Sequence, residues 1–314
     1  MQPEKVLLID YDIYTGYKTH HERYSGNVIV SNREPTAEVI NSFLEGLDVV
    51  FTVETPYNPD LYEIARRRGV KTVCQYNYEW LQHHQQPELP KPDLFLSPSK
   101  WKMEEMKKFN VPVKYLHVPV DRRKFPFKLR KQAKVFLHIA GHKTMNDRNG
   151  TALFMDCMPY IQSQVDLVIR TQDELPRTTT DHRLTILRGD PKDREEIFRG
   201  EVLVLPRRYG GLSLQLNEAL SLGMVPIMLD TLPQNEFLDK DLLVTATRSE
   251  FIQVKTSFES YACSPETLAN KIDELAGMDI SEFSKKSDSL AKQRDWKVMK
   301  NKYEEIFRWV IEDL

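Results

Sequence analysis

Between positions 201 and 229 the chain reads as strand, glycine turn, helix, strand, and this unit limits the fold more than any other segment. EVLVLP at 201–206 is a short apolar run, Gly210-Gly211 makes the turn, a helical segment runs to Gly223, and VPIML at 225–229 is apolar again. Two strands joined through a helix lie parallel, because the crossover returns the chain to the edge it started from. The turn also leaves backbone N–H groups unpaired at a helix N-terminus, which suits an anionic group such as a phosphate. Glu218 stands one to two turns into that helix, placed to accept hydrogen bonds from the hydroxyls of a sugar ring.

The same alternation fills the rest of the chain. Strands are expected at 5–10, 48–53, 70–75, 93–97 and 113–117, with helices at 35–44, 59–68 and 100–108. The pattern stops at 118–134, where two prolines and seven basic residues read as an interdomain linker. It resumes with strands at 135–140, 165–170, 184–187, 202–205, 225–229 and 242–244, and helices at 150–161, 192–198, 213–222 and 265–276. Residues 294–314 form one amphipathic closing helix, since Trp296, Met299, Tyr303, Ile306, Phe307 and Val310 recur at helical spacing. Repeated strand–helix alternation predicts an α/β protein with two doubly wound, Rossmann-like domains facing a cleft. The expected boundaries are 1–125 for the first domain, 126–293 for the second and 294–314 for the helix.

Length allows this, since 314 residues accommodate two cores of about 150 residues each. Charge is nearly balanced at 44 basic against 46 acidic residues, so net charge does not make the chain a polyanion binder. Cys74, Cys157 and Cys263 are scattered, without zinc or disulfide spacing, which fits a reducing cytosol. No signal peptide is evident, and no run approaches the roughly 20 apolar residues that span a bilayer. The expectation is a cytoplasmic protein, or one of the host cytoplasm if a phage encodes it.

Four segments in order resemble the retaining GT-B glycosyltransferases, the group-1, family-4-like class that takes nucleotide-sugar donors. Residues 92–125 resemble the end of that class's first domain: a strand ending in Pro-Ser, a helix, and a P-x-D-x-x-x-F segment matched by Pro119, Asp121 and Phe125. Residues 135–150 resemble the first strand and loop of the donor domain. The Arg207–Asp230 stretch is similar to the donor-binding helix, with the class's second glutamate falling on Glu218. Trp296 and the final helix resemble the segment that crosses back to the first domain. There are departures. Gly210 stands where the first glutamate of a Glu-x7-Glu pair is expected, and QYNYEW at 75–80 offers Asn77 and Glu79 where the class has a histidine.

The resemblance implies metal-independent transfer of a sugar, for instance from a UDP-sugar, with no cofactor. Cations and a helix N-terminus would stabilise the leaving diphosphate, whose phosphate would take the acceptor proton. Arg148 and Lys143 are the catalytic cation candidates, with His142 beside them. The backbone of Gly210, Gly211, Leu212, Ser213 and Leu214 would hold the distal phosphate, with Arg208 and Tyr209 next to it, and Glu218 the ribose. Arg188 and Gly189 would flank the base, and Gly16 would approach the donor from the first domain. Asp12 is a further catalytic candidate in a "DxD" imitation, although two carboxylates at a strand end are the plainer reading of Asp10-Tyr11-Asp12. Plain readings also exist for Glu218 (an exposed helix carboxylate), the glycine pair (a βα turn) and Arg148 (a loop cation). His20-His21 and His83-His84 read as loop histidines rather than metal ligands.

Partners expected are the nucleotide-sugar donor and an acceptor, either a carbohydrate or a modified DNA base. Basic clusters at 66–68 and 122–134 read as solvated surface or as contacts to an anionic surface. A phage-type DNA glycosyltransferase and a nucleotide-sugar binding protein without transfer activity are the alternatives to an ordinary glycosyltransferase.

Overall fold

A computed structural model of the protein describes residues 6–10, 28–30 and 36–314, apart from 57, 141–145, 190, 192 and 212; for 6–10, 28–30 and 43 it describes the backbone alone. The chain divides into two compact units. The first comprises residues 1–121, 253–257 and 294–314, and the second 122–252 and 258–293. No helix among the described residues is long and apolar enough to cross a membrane.

The first unit is built on a six-stranded sheet. Its strands are β1 (Val6–Asp10), β2 (Val28–Val30), β3 (Val49–Val53), β4 (Lys71–Gln75), β5 (Leu94–Ser97) and β6 (Val113–Tyr115), in the order β2-β1-β3-β4-β5-β6. Every neighbouring pair is parallel. All five residues of β3 are buried, as a parallel strand covered on both faces requires. One cover is the Trp296–Asp313 helix, which buries Trp296, Met299, Tyr303, Phe307 and Val310. Tyr303 and Phe307 set their rings 5.7 and 5.5 Å from that of Phe51. The Tyr303 hydroxyl donates to Gln75 Oε1 at 3.0 Å, so the C-terminal helix completes the core of the first unit.

The second unit has six strands in the order β12-β11-β10-β7-β8-β9. They are β7 (Val135–Ile139), β8 (Asp166–Thr171), β9 (Leu184–Arg188), β10 (Val202–Val204), β11 (Val225–Leu229) and β12 (Leu243–Val244), again all parallel. The chain builds outward from β7 to β9, then crosses back to lay β10 on the other side of β7. A crevice opens at the carboxyl ends of strands where the order reverses in this way, here between β7 and β10.

Several expected elements differ for local reasons. The 100–108 helix is a short 3-10 turn, Glu104–Phe109, entered past Lys102 in the left-handed region (φ 58°). The 150–161 helix holds as α over Thr151–Cys157 and tightens to 3-10 at Met158–Tyr160, where Pro159 lacks an N–H. The 192–198 helix reduces to one 3-10 turn, Arg194–Ile197. A two-stranded sheet of β13 (Thr247–Gln253) and β14 (Ser257–Ala262) and a helix at Ser281–Gln293 were not expected.

The basic segment after residue 121 is no loose linker. Ser221 Oγ donates to the Phe125 carbonyl at 2.6 Å, Lys128 N donates to the Leu222 carbonyl at 3.3 Å, and Arg130 N donates to Ser284 Oγ at 3.0 Å. Arg122 is ion-paired with Asp288. Gly223 ends the Leu214–Ser221 helix at φ 74°, where a Cβ would lie 2.6 Å from the Lys128 carbonyl oxygen, so only glycine fits there.

Candidate functional site

The crevice edge of the second unit is formed by the loops that leave β7 and β10. These loops are locked together. Gly150 (φ 74°) lies so close to Pro206 that a Cβ would sit 2.4 Å from the Pro206 carbonyl oxygen. Arg208 N donates to the Arg148 carbonyl at 2.9 Å, and buried Asn149 donates through Nδ2 to the Ile139 carbonyl at 3.0 Å. Beneath them His138 is fully buried, bonded through Nδ1 to the Val204 carbonyl at 2.8 Å and through Nε2 to Thr151 Oγ1 at 2.9 Å. The carbonyl can only accept, so Nδ1 carries the proton and Nε2 accepts from the threonine. Burial holds the imidazole neutral, with its pKa lowered to about 4.

Two helices begin at this edge with different caps. The Thr151–Cys157 helix has its first N–H groups taken by the chain's own carboxylate: Asp147 accepts from Thr151 N at 2.7 Å and Ala152 N at 3.1 Å. The Leu214–Ser221 helix is capped by a neutral group, Ser213 Oγ, which accepts from Leu216 N at 3.3 Å. Of the two, the second terminus has no carboxylate at its positive end among the described residues. Gly210 (φ 106°) and buried Gly211 lead into it, and Leu214 is its first residue.

Glu218 is 4 % exposed, which removes the reading of an exposed helix carboxylate. Its Oε1 accepts from Arg194 Nε at 2.5 Å, while the buried Oε2 has no hydrogen-bond partner among the described residues. Burial raises the Glu218 pKa, and Arg194 opposes that rise. Arg194 belongs to the turn after β9, which Arg170 at the end of β8 holds by donating to the carbonyls of Glu196 (3.2 Å) and Gly189 (3.4 Å). A bare, desolvated carboxylate oxygen is a strong acceptor awaiting an O–H or N–H donor.

The remaining expected residues fall in three groups. Arg188 and Gly189 (φ 77°) lie exposed at the end of β9, and Arg188 donates to the Asp173 carbonyl at 3.4 Å. Arg148 is half-buried in the turn between β7 and the Thr151–Cys157 helix. The Arg208 guanidinium is bonded to Glu250, to Ser260 Oγ (3.3 Å) and to the Asn146 carbonyl (3.2 Å), and the Tyr209 ring packs 5.1 Å from Phe258. Those contacts turn both side chains to the β13–β14 sheet, so what the structure shows for them is a part in shaping the loop. Asp12, Gly16, His142, Lys143 and Leu212 lie outside the described residues. Sequence reasoning missed Arg194 and Arg170.

In the first unit, Glu54 follows β3 in the left-handed region (φ 66°) and accepts from Asn77 Nδ2 at 3.3 Å. His83 and His84 bond the carbonyls of Pro90 (2.9 Å) and Tyr78 (3.0 Å), and both pack against the Phe109 ring. His83 is buried and His84 half-buried, and both are packed side chains rather than free loop histidines. Among the described residues no group of three or more His, Cys, Asp or Glu is placed to hold a metal ion.

No protein-family profile matches the chain, and no curated protein matches it in sequence. Solved structures match over nearly its whole length. HepE of Anabaena, solved in complex with UDP, superimposes with a TM-score of 0.70 at 12% identity, covering 97% of this chain and 99% of HepE. A glycosyltransferase from Rickettsia africae gives 0.68 at 10% identity, covering 99% of each chain. Sucrose-phosphate synthase from Thermosynechococcus elongatus gives 0.67 at 11% identity, covering 98% of each. The chain has the GT-B fold of two Rossmann-like domains with parallel sheets.

Proposed function

We propose that the protein is a retaining, metal-independent glycosyltransferase that moves a sugar from a nucleotide-sugar donor, held by the second unit, to an acceptor hydroxyl. The observation that carries this reading is Glu218: a buried carboxylate with one oxygen paired and the other bare, four residues into a helix whose N-terminus is capped only by a serine. A ribose supplies hydroxyl donors for the bare oxygen. The adjoining diphosphate suits the N–H groups of the Ser213–Leu214 turn. Gly189 and Arg188, exposed at the end of β9, are the residues assigned to flank the base, and Arg148 with Lys143 are the cations assigned to the leaving group. A uridine nucleotide is the first donor to test, given the UDP in the HepE complex.

Transfer would then need no dedicated base, because the departing phosphate takes the acceptor proton. The acceptor is a carbohydrate in this reading. A DNA acceptor draws less support, since Arg122 is ion-paired, Arg66 donates to the Lys91 carbonyl at 3.1 Å and Arg68 to Asn41 Oδ1 at 3.1 Å.

A thermal-shift screen against UDP-, GDP-, ADP- and TDP-sugars, followed by donor turnover with and without acceptors, tests the proposal. Binding followed by transfer supports it. Binding without turnover under any acceptor would leave a nucleotide-sugar binding protein, and salt-sensitive duplex binding would restore the DNA reading.

A further inference from the structure

We propose that Arg194 is a positioning residue for the nucleotide: by engaging one oxygen of Glu218 it fixes which oxygen is presented to the ribose. This rests on the ribose reading of Glu218 and adds a residue that neither the chain's spacing nor its resemblance assigns.

The geometry argues for it. A guanidinium that served only to neutralise a buried carboxylate would gain most from a two-pronged contact that fills both oxygens. Here Nε reaches Oε1 alone, at 2.5 Å, and Oε2 stays buried and unmatched. Leaving such an oxygen bare is costly in a folded protein, and a ligand donor recovers that cost. The arginine is itself held, because Arg170 bonds the carbonyls of Glu196 and Gly189 on either side of the Arg194 segment. The pair therefore reaches the nucleotide with its direction already set.

Arg194 also decides the charge that the ribose meets. The Leu214–Ser221 helix carries no second charged residue, and it packs on β11, which is apolar throughout. The Ser281–Gln293 helix, which also packs on it, has its charges paired elsewhere: Glu282 with Lys285, Lys286 with Asp239, and Lys292 and Arg122 with Asp288. Among the described residues Arg194 is the one charge that acts on Glu218, and it works against the upward pull of burial. Without it the carboxyl takes up a proton more readily, and a protonated carboxyl accepts ribose hydroxyls poorly.

The test is calorimetric titration of the full chain with UDP, GDP and ADP and their 2′-deoxy counterparts, from roughly pH 6 to pH 8.5. The variants are Arg194→Gln, Arg194→Lys, Glu218→Gln and the Arg194→Gln/Glu218→Gln double variant, with thermal melts confirming folding. For the nucleotide that binds, Arg194→Gln is expected to weaken affinity about tenfold, and at the acid end no less than at the alkaline end. Arg194→Lys should recover part of it, and the double variant should bind no worse than Glu218→Gln. Wild-type affinity in Arg194→Gln, or a double variant that binds worse than Glu218→Gln, overturns the inference. If the wild type binds ribo- and 2′-deoxynucleotides alike, the ribose reading falls whatever Arg194 does. If it binds none, both fall.

Discussion

Arg194 Nε and Glu218 Oε1 meet at 2.5 Å across 24 positions of sequence, joining the turn after β9 to the helix after β10. Replacing Glu218 by Ala removes the acceptor assigned to the ribose. Nucleotide diphosphate at about 100 times its dissociation constant stabilises the wild type by ~2.7 kcal/mol, and most of that shift should vanish in Glu218→Ala. Melting with and without nucleotide reads it directly; an undiminished shift would place the ribose elsewhere.

Gly150→Ala should destabilise the fold by about 2–4 kcal/mol, because the new Cβ meets backbone and the residue sits in the left-handed region. Urea unfolding checks this. A cost under about 0.5 kcal/mol, the range of neutral surface changes, would mean the two loops are not in the close contact described.

Asp147→Ala strips the cap from the Thr151–Cys157 helix and should cost roughly 1–2 kcal/mol. Asp147→Asn, which keeps an acceptor oxygen, should cost less. The order of the two melting temperatures is the readout.

Stability should fall on mild acidification. Burial lowers the pKa of His138 and His84 to about 4 and that of His117 to about 3. Near pH 6.5 and below, the unfolded imidazoles take up protons that the folded ones refuse, so the stability present above pH 6.5 drains as the pH drops towards 4. Each histidine contributes a slope of about 1.4 kcal/mol per pH unit inside that window. His138→Gln should lower stability at neutral pH yet flatten this slope. Denaturant midpoints against pH measure both, and an unchanged slope would show that His138 titrates normally.

Chelation tests the metal-independent mechanism. Transfer should proceed undiminished in excess EDTA. Loss of turnover, restored by magnesium, would show that a metal ion, rather than Arg148 and Lys143 alone, stabilises the departing diphosphate.

Strands such as β3 and β11 were readable because each is an apolar run buried along its whole length, whereas the three-residue β2 is too short to mark itself. The Ser281–Gln293 helix was not readable, for its buried face includes Ser284, Ser287 and Asp288, whose polarity hides the helical spacing. There Ser284 Oγ donates to the Gly223 carbonyl at 2.8 Å, a tertiary bond that spacing cannot announce. β13 is hidden for the opposite reason: apart from Ile252 its residues are exposed, so no alternation marks it. Within the site, Glu218 stands out by its distance from the glycine turn. Arg194 lies in PKDREE at 191–196, where a charge run reads as surface, and only folding shows which of those charges is turned inward.

The contact of Gly150 with Pro206 also bears on how such a site can be rebuilt. Because backbone touches backbone there, neither loop can change its path without the other giving way. An engineer who wants a different donor has to transplant residues 146–150 and 206–211 as one cassette. Variation among natural relatives should likewise come in matched pairs at these two loops, with drift in one permitted only by a compensating change in its mate.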